Sequence, residues 1–282
     1  MTRYTPIFVG LVALFSTTFV NANNTLIEKA NLARAKAEEA FFLCNERAME
    51  NHRALIAAYW IHPGDTVLDL GAHIGSYALY YDKLVKVTGR VLAYEASPLV
   101  YGHLLARISS LPVTSISTIN KAVSDSSNKL IPMKVYLNDV KPQCASLEPK
   151  LWSEERMSGD TAIIDAVTEQ LDDLLKDDQI QPIRFIKIDV EGHEHAVIKG
   201  AKQLLLTHRP LVIFEYGFQK GYWEPNTIQQ IEELGYVCYD CNTDKRVHPG
   251  YGSLSTPYLL TDILAIPKEF EEEIILLLPY LY

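Results

Sequence analysis

Thr66-Val67-Leu68-Asp69-Leu70-Gly71-Ala72-His73-Ile74-Gly75 is the stretch on which the fold turns. Its first half is short, apolar and β-branched, as a buried strand requires. Its second half breaks into closely spaced glycines and passes into helix-like sequence. Glycine permits a tight turn and a close backbone approach, and the helix that follows presents unsatisfied amide groups at its start. A plain strand-to-helix turn would look the same. The spacing is not G-x-G-x-x-G, because His73 occupies the middle glycine position and Gly75 comes too early, which weakens a pyrophosphate site.

Outward from this loop, strands and helices alternate. Val67 to Leu70 reads as a strand, Ile74 to Val87 as a helix, Arg90 to Glu95 as a strand and Pro98 to Ser109 as a helix. Ile116 to Val123 is a third strand. Pro132, Pro142 and Pro149 then interrupt the rhythm between about 124 and 167, with Lys129 to Leu137 as an extra strand in a surface excursion. Alternation resumes with a helix over Leu171 to Leu175, a strand over Ile183 to Asp189 and a helix over Glu194 to Leu206. Pro210 to Tyr216, Tyr236 to Tyr239 and Tyr258 to Ile266 are strands, and Thr227 to Leu234 is a helix. Such alternation predicts an α/β fold, a mostly parallel sheet covered by helices on both faces. Ligands then bind outside the carboxyl ends of the strands.

Three acidic strand ends stand out for that reason. Glu95 ends the second strand, where a carboxylate can accept hydrogen bonds from both hydroxyls of a nucleoside ribose; a solvated acid would occupy the same place. Phe185-Ile186-Lys187-Ile188-Asp189-Val190-Glu191-Gly192-His193-Glu194-His195 runs from a buried-type strand into two acids, a glycine and two histidines. Lys187 inside a strand is costly without a partner, and Asp189 or Glu191 can supply one. Glu191 and Glu194 also suit a helix start. Pro210-Leu211-Val212-Ile213-Phe214-Glu215-Tyr216 ends in a third acid, placing Glu215 near Asp189 if the two strands are neighbours.

These pieces, in this order, resemble the FkbM family of S-adenosylmethionine-dependent methyltransferases. The resemblance runs from about Thr66 to Tyr216 and includes Ala93-Tyr94-Glu95-Ala96-Ser97-Pro98 and Asn120-Lys121-Ala122-Val123-Ser124-Asp125. Its most specific part is Ile186-Lys187-Ile188-Asp189-Val190-Glu191-Gly192-His193-Glu194. The resemblance implies a Rossmann-like seven-stranded sheet with the last strand antiparallel. It implies cofactor contacts from Asp69, Gly71, Ala72, His73 and Gly75 at the methionine end, Glu95 at the ribose, and Ala122 and Val123 near the adenine. His73 stands where Asn is more usual. The implied reaction is O-methylation of a hydroxyl on a sugar or another small metabolite, with Asp189, Glu191 and His193 as catalytic candidates. His suits base work near neutral pH. Asp189, Glu191 and Glu215 offer a divalent metal the hard oxygen ligands it prefers.

A nicotinamide-dependent oxidoreductase is the alternative, against which the broken glycine pattern counts. A non-catalytic exported binding domain on the same fold is another. The formal net charge of −9 and the absence of a Lys/Arg run argue against a nucleic-acid surface. The predicted partner is a small-molecule or glycan hydroxyl acceptor. Its selection falls to the excursion and to residues 217–226, where Tyr222 and Trp223 stand.

The remaining segments predict a 23–62 helical extension, a methyltransferase domain over 63–267 with its insertion near 124–167, and a C-terminal helix over 268–282. Residues 1–22 carry Arg3, an apolar core from Ile7 to Phe15 and small residues ending at Ala22, the pattern of a secretory signal peptide. The reading is export, to the outside, a periplasm or a secretory lumen; the alternative is a membrane anchor with the domain left cytoplasmic. Export creates a tension, since S-adenosylmethionine is made in the cytosol. Four cysteines, Cys44, Cys144, Cys238 and Cys241, permit disulfides in an exported chain. Cys238 and Cys241 lie three apart on a strand, facing opposite sides, which favours buried free thiols over a zinc site.

Overall fold

The computed structural model describes residues 7–44, 52–137, 145–148, 160–177, 180–219, 222–223, 226–251 and 258–281. Cys144 and much of the 124–167 excursion lie outside them. So do the side chains of Cys44, Tyr222, Trp223 and residues 1–23. The main sheet holds β1 (Thr66–Leu70), β2 (Arg90–Tyr94), β3 (Ile116–Ile119), β7 (Ile183–Ile188), β8 (Leu211–Gln219), β10 (Tyr236–Asp240) and β12 (Tyr258–Pro267). Its order is β10-β12-β8-β7-β1-β2-β3, with β12 antiparallel to both neighbours. Two two-residue strands, β9 (Tyr222–Trp223) beside β8 and β11 (Arg246–Val247) beside β10, raise the expected seven strands to nine.

Residue alternation builds two cores. Val67, Val91, Phe185, Ile213 and Leu264 face one layer. Leu68, Leu92, Ile186, Val212 and Phe214 face the other. The first layer is covered by α1 (Ile7–Cys44), α2 (His52–Trp60), α3 (Ser76–Val85), α4 (Pro98–Ser109) and α8 (Glu271–Leu281). The second is covered by α5 (Glu194–Gly200), α6 (Lys202–His208) and α7 (Thr227–Glu233). Burial on both faces is why these strands read as continuous apolar runs. Cys238 packs in one layer and Cys241 in the other, both buried.

The sequence expectation of one strand over Ile116 to Val123 is corrected. Asn120 turns the chain, its side-chain amide donating to the Glu95 carbonyl (2.8 Å). Ala122–Val123 becomes β4 of a separate three-stranded sheet, order β4-β6-β5, with β5 (Leu130–Tyr136) and β6 (Thr161–Glu169). The expected helix over Glu194 to Leu206 is two short helices, because Ala201 leaves helical geometry with φ −111°. Leu171–Lys176 is a 3-10 helix whose Asp172 carboxylate accepts from the Gln203 and Leu204 amides at the start of α6.

Candidate active site

A cavity of about 370 Å³ opens at the carboxyl ends of β1, β2, β4, β7 and β8. The β1 loop forms one wall. Gly71 and Ala72 donate backbone N–H groups to the Tyr94 carbonyl (3.0 and 2.8 Å), tying the loop to the end of β2. Asp189 N–H donates to the Leu70 carbonyl (3.0 Å) and ties the same loop to β7. Gly71 is required here by backbone rather than by a ligand: φ is +75°, and a Cβ would lie 1.8 Å from the Asp189 carbonyl oxygen. His73 follows in the left-handed region at φ +52°. Asn and His are among the few side chains that visit that region readily, so His fits the backbone where Asn is usual.

Glu95 is buried with its carboxylate toward the loop. Oε2 accepts from His73 N–H and Oε1 from Ser97 N–H, both at 2.9 Å. Burial, only partly offset by these two donors, pushes its pKa up to about 7. Two lone pairs per oxygen leave acceptor capacity for ligand hydroxyls. Burial, and then the Lys187 charge, lower the pKa of His73 below the usual imidazole value. Its Nε2 is buried without a partner.

The floor of the cavity is an ion cluster. Lys187 on β7 lies directly across from Asp69 on β1. Its Nζ is 3.4 Å from Asp69 Oδ1, from Asp189 Oδ2 and from the Gly71 carbonyl, and 5.1 Å from the Tyr77 ring centre. Asp189, Glu191 and Glu215 bring carboxylate oxygens within 4.8 Å of one another at the partly open end. Glu191 (φ +56°) and Gly192 (φ +95°) form a left-handed turn there. Glu194 steadies it by accepting from Val190 N–H (2.9 Å).

Of the residues singled out from sequence, the structure brings Gly71, Ala72, His73, Glu95, Ala122, Val123, Asp189, Glu191 and Glu215 to this one cavity. Three do not line it. Asp69 is fully buried beneath the floor as the partner of Lys187. Gly75 (φ +89°) starts α3, where a Cβ would press on Leu104 at 2.7 Å. His193, expected as a base, sits behind the wall. Its Nδ1 is 2.6 Å from Glu148 Oε1 and its Nε2 2.9 Å from Ser124 Oγ. Sequence reasoning missed Met133, Ala145 and Leu147, apolar lining residues from the excursion. Only the alternation of β5 hinted at the first of them.

The cavity pairs a carboxylate suited to vicinal hydroxyls with an apolar end at Ala122, Val123 and Leu147 and an acidic end at Asp189, Glu191 and Glu215. That donor set fits an adenosyl group carrying a cationic sulfur. The family model described as "Methyltransferase FkbM domain" matches residues 69–238. Methyltransferase sdnD of Sordaria araneosa is 28% identical over 194 residues, 60% of this chain and 70% of that protein. The structure of methyltransferase FkbM from Methylobacillus flagellatus KT aligns at TM-score 0.42 and 14% identity, over 80% of this chain. The chain spans 58% of that protein's length. Aeropyrum pernix fibrillarin, solved with S-adenosyl-L-methionine bound, aligns at TM-score 0.40 and 12% identity, covering 73% of this chain and 67% of its own.

Proposed function

The chain belongs to the FkbM family of S-adenosylmethionine-dependent methyltransferases, and from that premise we propose that it methylates a hydroxyl of a sugar or another small metabolite. The observation that carries this reading is the single cavity that holds both Glu95 and the Asp189–Glu191–Glu215 cluster. The family assignment displaces the nicotinamide-dependent alternative.

Bound S-adenosylmethionine supplies an electrophilic methyl group on a sulfonium. The chain's own work is to orient, to exclude water and to move a proton. Glu95 would hold the ribose hydroxyls, the Gly71–His73 loop the methionine end, and Ala122 and Val123 the adenine. Lys187 neutralises part of the acidic floor and keeps the Asp189 carboxylate directed into the cavity. Asp189 or Glu191 would take the acceptor's proton as the oxygen attacks in line. In the alternative arrangement Asp189, Glu191 and Glu215 hold a divalent cation, which would lower the acceptor hydroxyl's pKa and position its oxygen. Chelation and readdition of Mg²⁺ or Mn²⁺ separates the two: turnover that survives chelation belongs to the bare carboxylates.

The test is methyl transfer from labelled S-adenosylmethionine to a panel of sugars and small alcohols. Asp189→Asn should lower turnover by about a hundredfold or more while leaving cofactor affinity within about threefold, the loss of one general base. A fully active Asp189→Asn enzyme refutes that role. Wild-type protein that binds the cofactor tightly yet methylates nothing favours a binding domain instead.

A further inference from the structure

His193 lies behind the cavity wall, yet both hydrogen bonds of its ring end one residue from that wall. Ser124, 2.9 Å from Nε2, directly follows the lining residue Val123. Glu148, 2.6 Å from Nδ1, directly follows the lining residue Leu147. Ser146, between the lining residues Ala145 and Leu147, donates its hydroxyl to the carbonyl of Glu191 (2.8 Å), itself a lining residue. The Ser146 backbone also exchanges two hydrogen bonds with Lys134 of β5 (3.0 and 3.1 Å). The ring is therefore a pin between β4 and the 145–148 segment. Both segments line the apolar end of the cavity, and Ala122 and Leu147 belong to one buried cluster there. Ser124, the imidazole and Glu148 thus form one continuous hydrogen-bonded chain, with both ring nitrogens partnered.

The order Ser, His, Glu is also that of a hydrolytic relay. Access rules that out: Ser124 is 1% exposed. Its carbonyl is packed where a Cβ on Gly200 would come within 2.1 Å. No acyl substrate reaches such a hydroxyl. The network instead ties two apolar parts of the lining to each other, Ala122 and Val123 next to Ser124, and Ala145 and Leu147 next to Glu148.

We propose that His193 is a positioning residue that sets the width of a slot for the planar base of the cofactor, by pinning the Leu147 wall to the Val123 wall. The proposal rests on the S-adenosylmethionine reading of the cavity. It assigns the excursion a part in cofactor binding as well as the acceptor selection expected of it.

Isothermal titration with two probes tests it: S-adenosylhomocysteine, and S-ribosylhomocysteine, which lacks the base. His193→Phe should weaken S-adenosylhomocysteine by about tenfold or more and S-ribosylhomocysteine by less than about twofold, and His193→Gln should recover most of the loss. Glu148→Ala, at the more exposed end of the relay, should repeat the pattern and serves where His193→Phe does not fold. Equal weakening of both probes means general loosening of the fold and overturns the proposal, as does unchanged S-adenosylhomocysteine affinity. Wild-type protein that binds neither probe overturns the methyltransferase reading, and this inference with it.

Discussion

Glu95 is the residue whose ionisation the cofactor should feel most. A buried carboxyl with a pKa near 7 favours the folded apoprotein while protonated. Its contribution is thus fully present below about pH 4.5 and is lost as pH rises toward 7. Ribose hydroxyls donate only to the ionised form to full effect, so binding has the opposite sign. Affinity for S-adenosylhomocysteine should strengthen by about tenfold between pH 6 and pH 8, and Glu95→Gln should flatten the profile and leave it weak. A wild-type affinity constant over that range refutes the ribose role. Gly71 carries a second prediction. Gly71→Ala adds a methyl that cannot coexist with the Asp189 carbonyl at 1.8 Å, on a backbone at φ +75°. It should cost more than about 4 kcal/mol in denaturant unfolding, and a loss below about 1 kcal/mol would show that the two strand ends separate freely. Both residues were legible in the sequence as a glycine after a strand and an acid ending one. The glycine's partner was not, since a clash between two strand ends distant in sequence leaves no local signal. Asp69 was given a cofactor contact by the resemblance for a related reason: only strand pairing reveals Lys187 opposite it.

At the scale of elements, β1 and β7 are joined by that pair. Lys187 is 3% exposed and Asp69 fully buried, so each charge depends on the other and on Asp189. Removing one partner of a buried ion pair leaves an uncompensated charge. Lys187→Met should therefore cost about 3–5 kcal/mol. Adding Asp69→Asn should return part of it, because the double variant no longer buries a lone carboxylate. Chemical denaturation of the three variants is the measurement, and additive losses would mean that the pair is not coupled. The parallel strands themselves were readable, because burial on both faces writes apolar runs into sequence. What escaped was the small sheet beyond β5, which the Lys129 to Leu137 expectation did place. β6 alternates exposed and buried positions over Thr161–Glu169, and β4 has two residues, too short to carry a period. The break at Ala201 had one local signal, the poor helix former Gly200 beside it, which the helical period on either side outweighed. Much of the cavity's apolar wall, Met133, Ala145 and Leu147, comes from this less legible part, which is why sequence yielded the polar half of the site and less of its apolar lining.

For the whole molecule the question is how the first residues relate to the folded domain. α1 is one helix from Ile7 to Cys44, and among its described positions the buried face begins at Ala30 and continues through Ala33, Ala37 and Ala40. That spacing, three or four residues apart, keeps the alanines on one side, and their small side chains let α1 lie close to α2, α3 and α8. Leu26 packs at the margin of the same layer. Cleavage after Ala22, as the signal-like pattern expects, would cut the helix before any of these contacts. No described helix is long and apolar enough to cross a membrane, so an anchor would have to draw on the first residues, whose side chains lie outside the described set. The consequence is measurable. Protein lacking residues 1–22 should melt within about 2 °C of the full chain, since the described packing of α1 begins at Leu26. It should also bind S-adenosylhomocysteine equally well, because the cavity at the carboxyl ends of β1, β2, β4, β7 and β8 draws on no described side chain of α1. A drop of about 10 °C or more would show that the segment is part of the fold, and would argue against its removal in the cell. Equal stability would instead leave export compatible with a working site, and the supply of S-adenosylmethionine to that compartment would then govern whether the domain turns over.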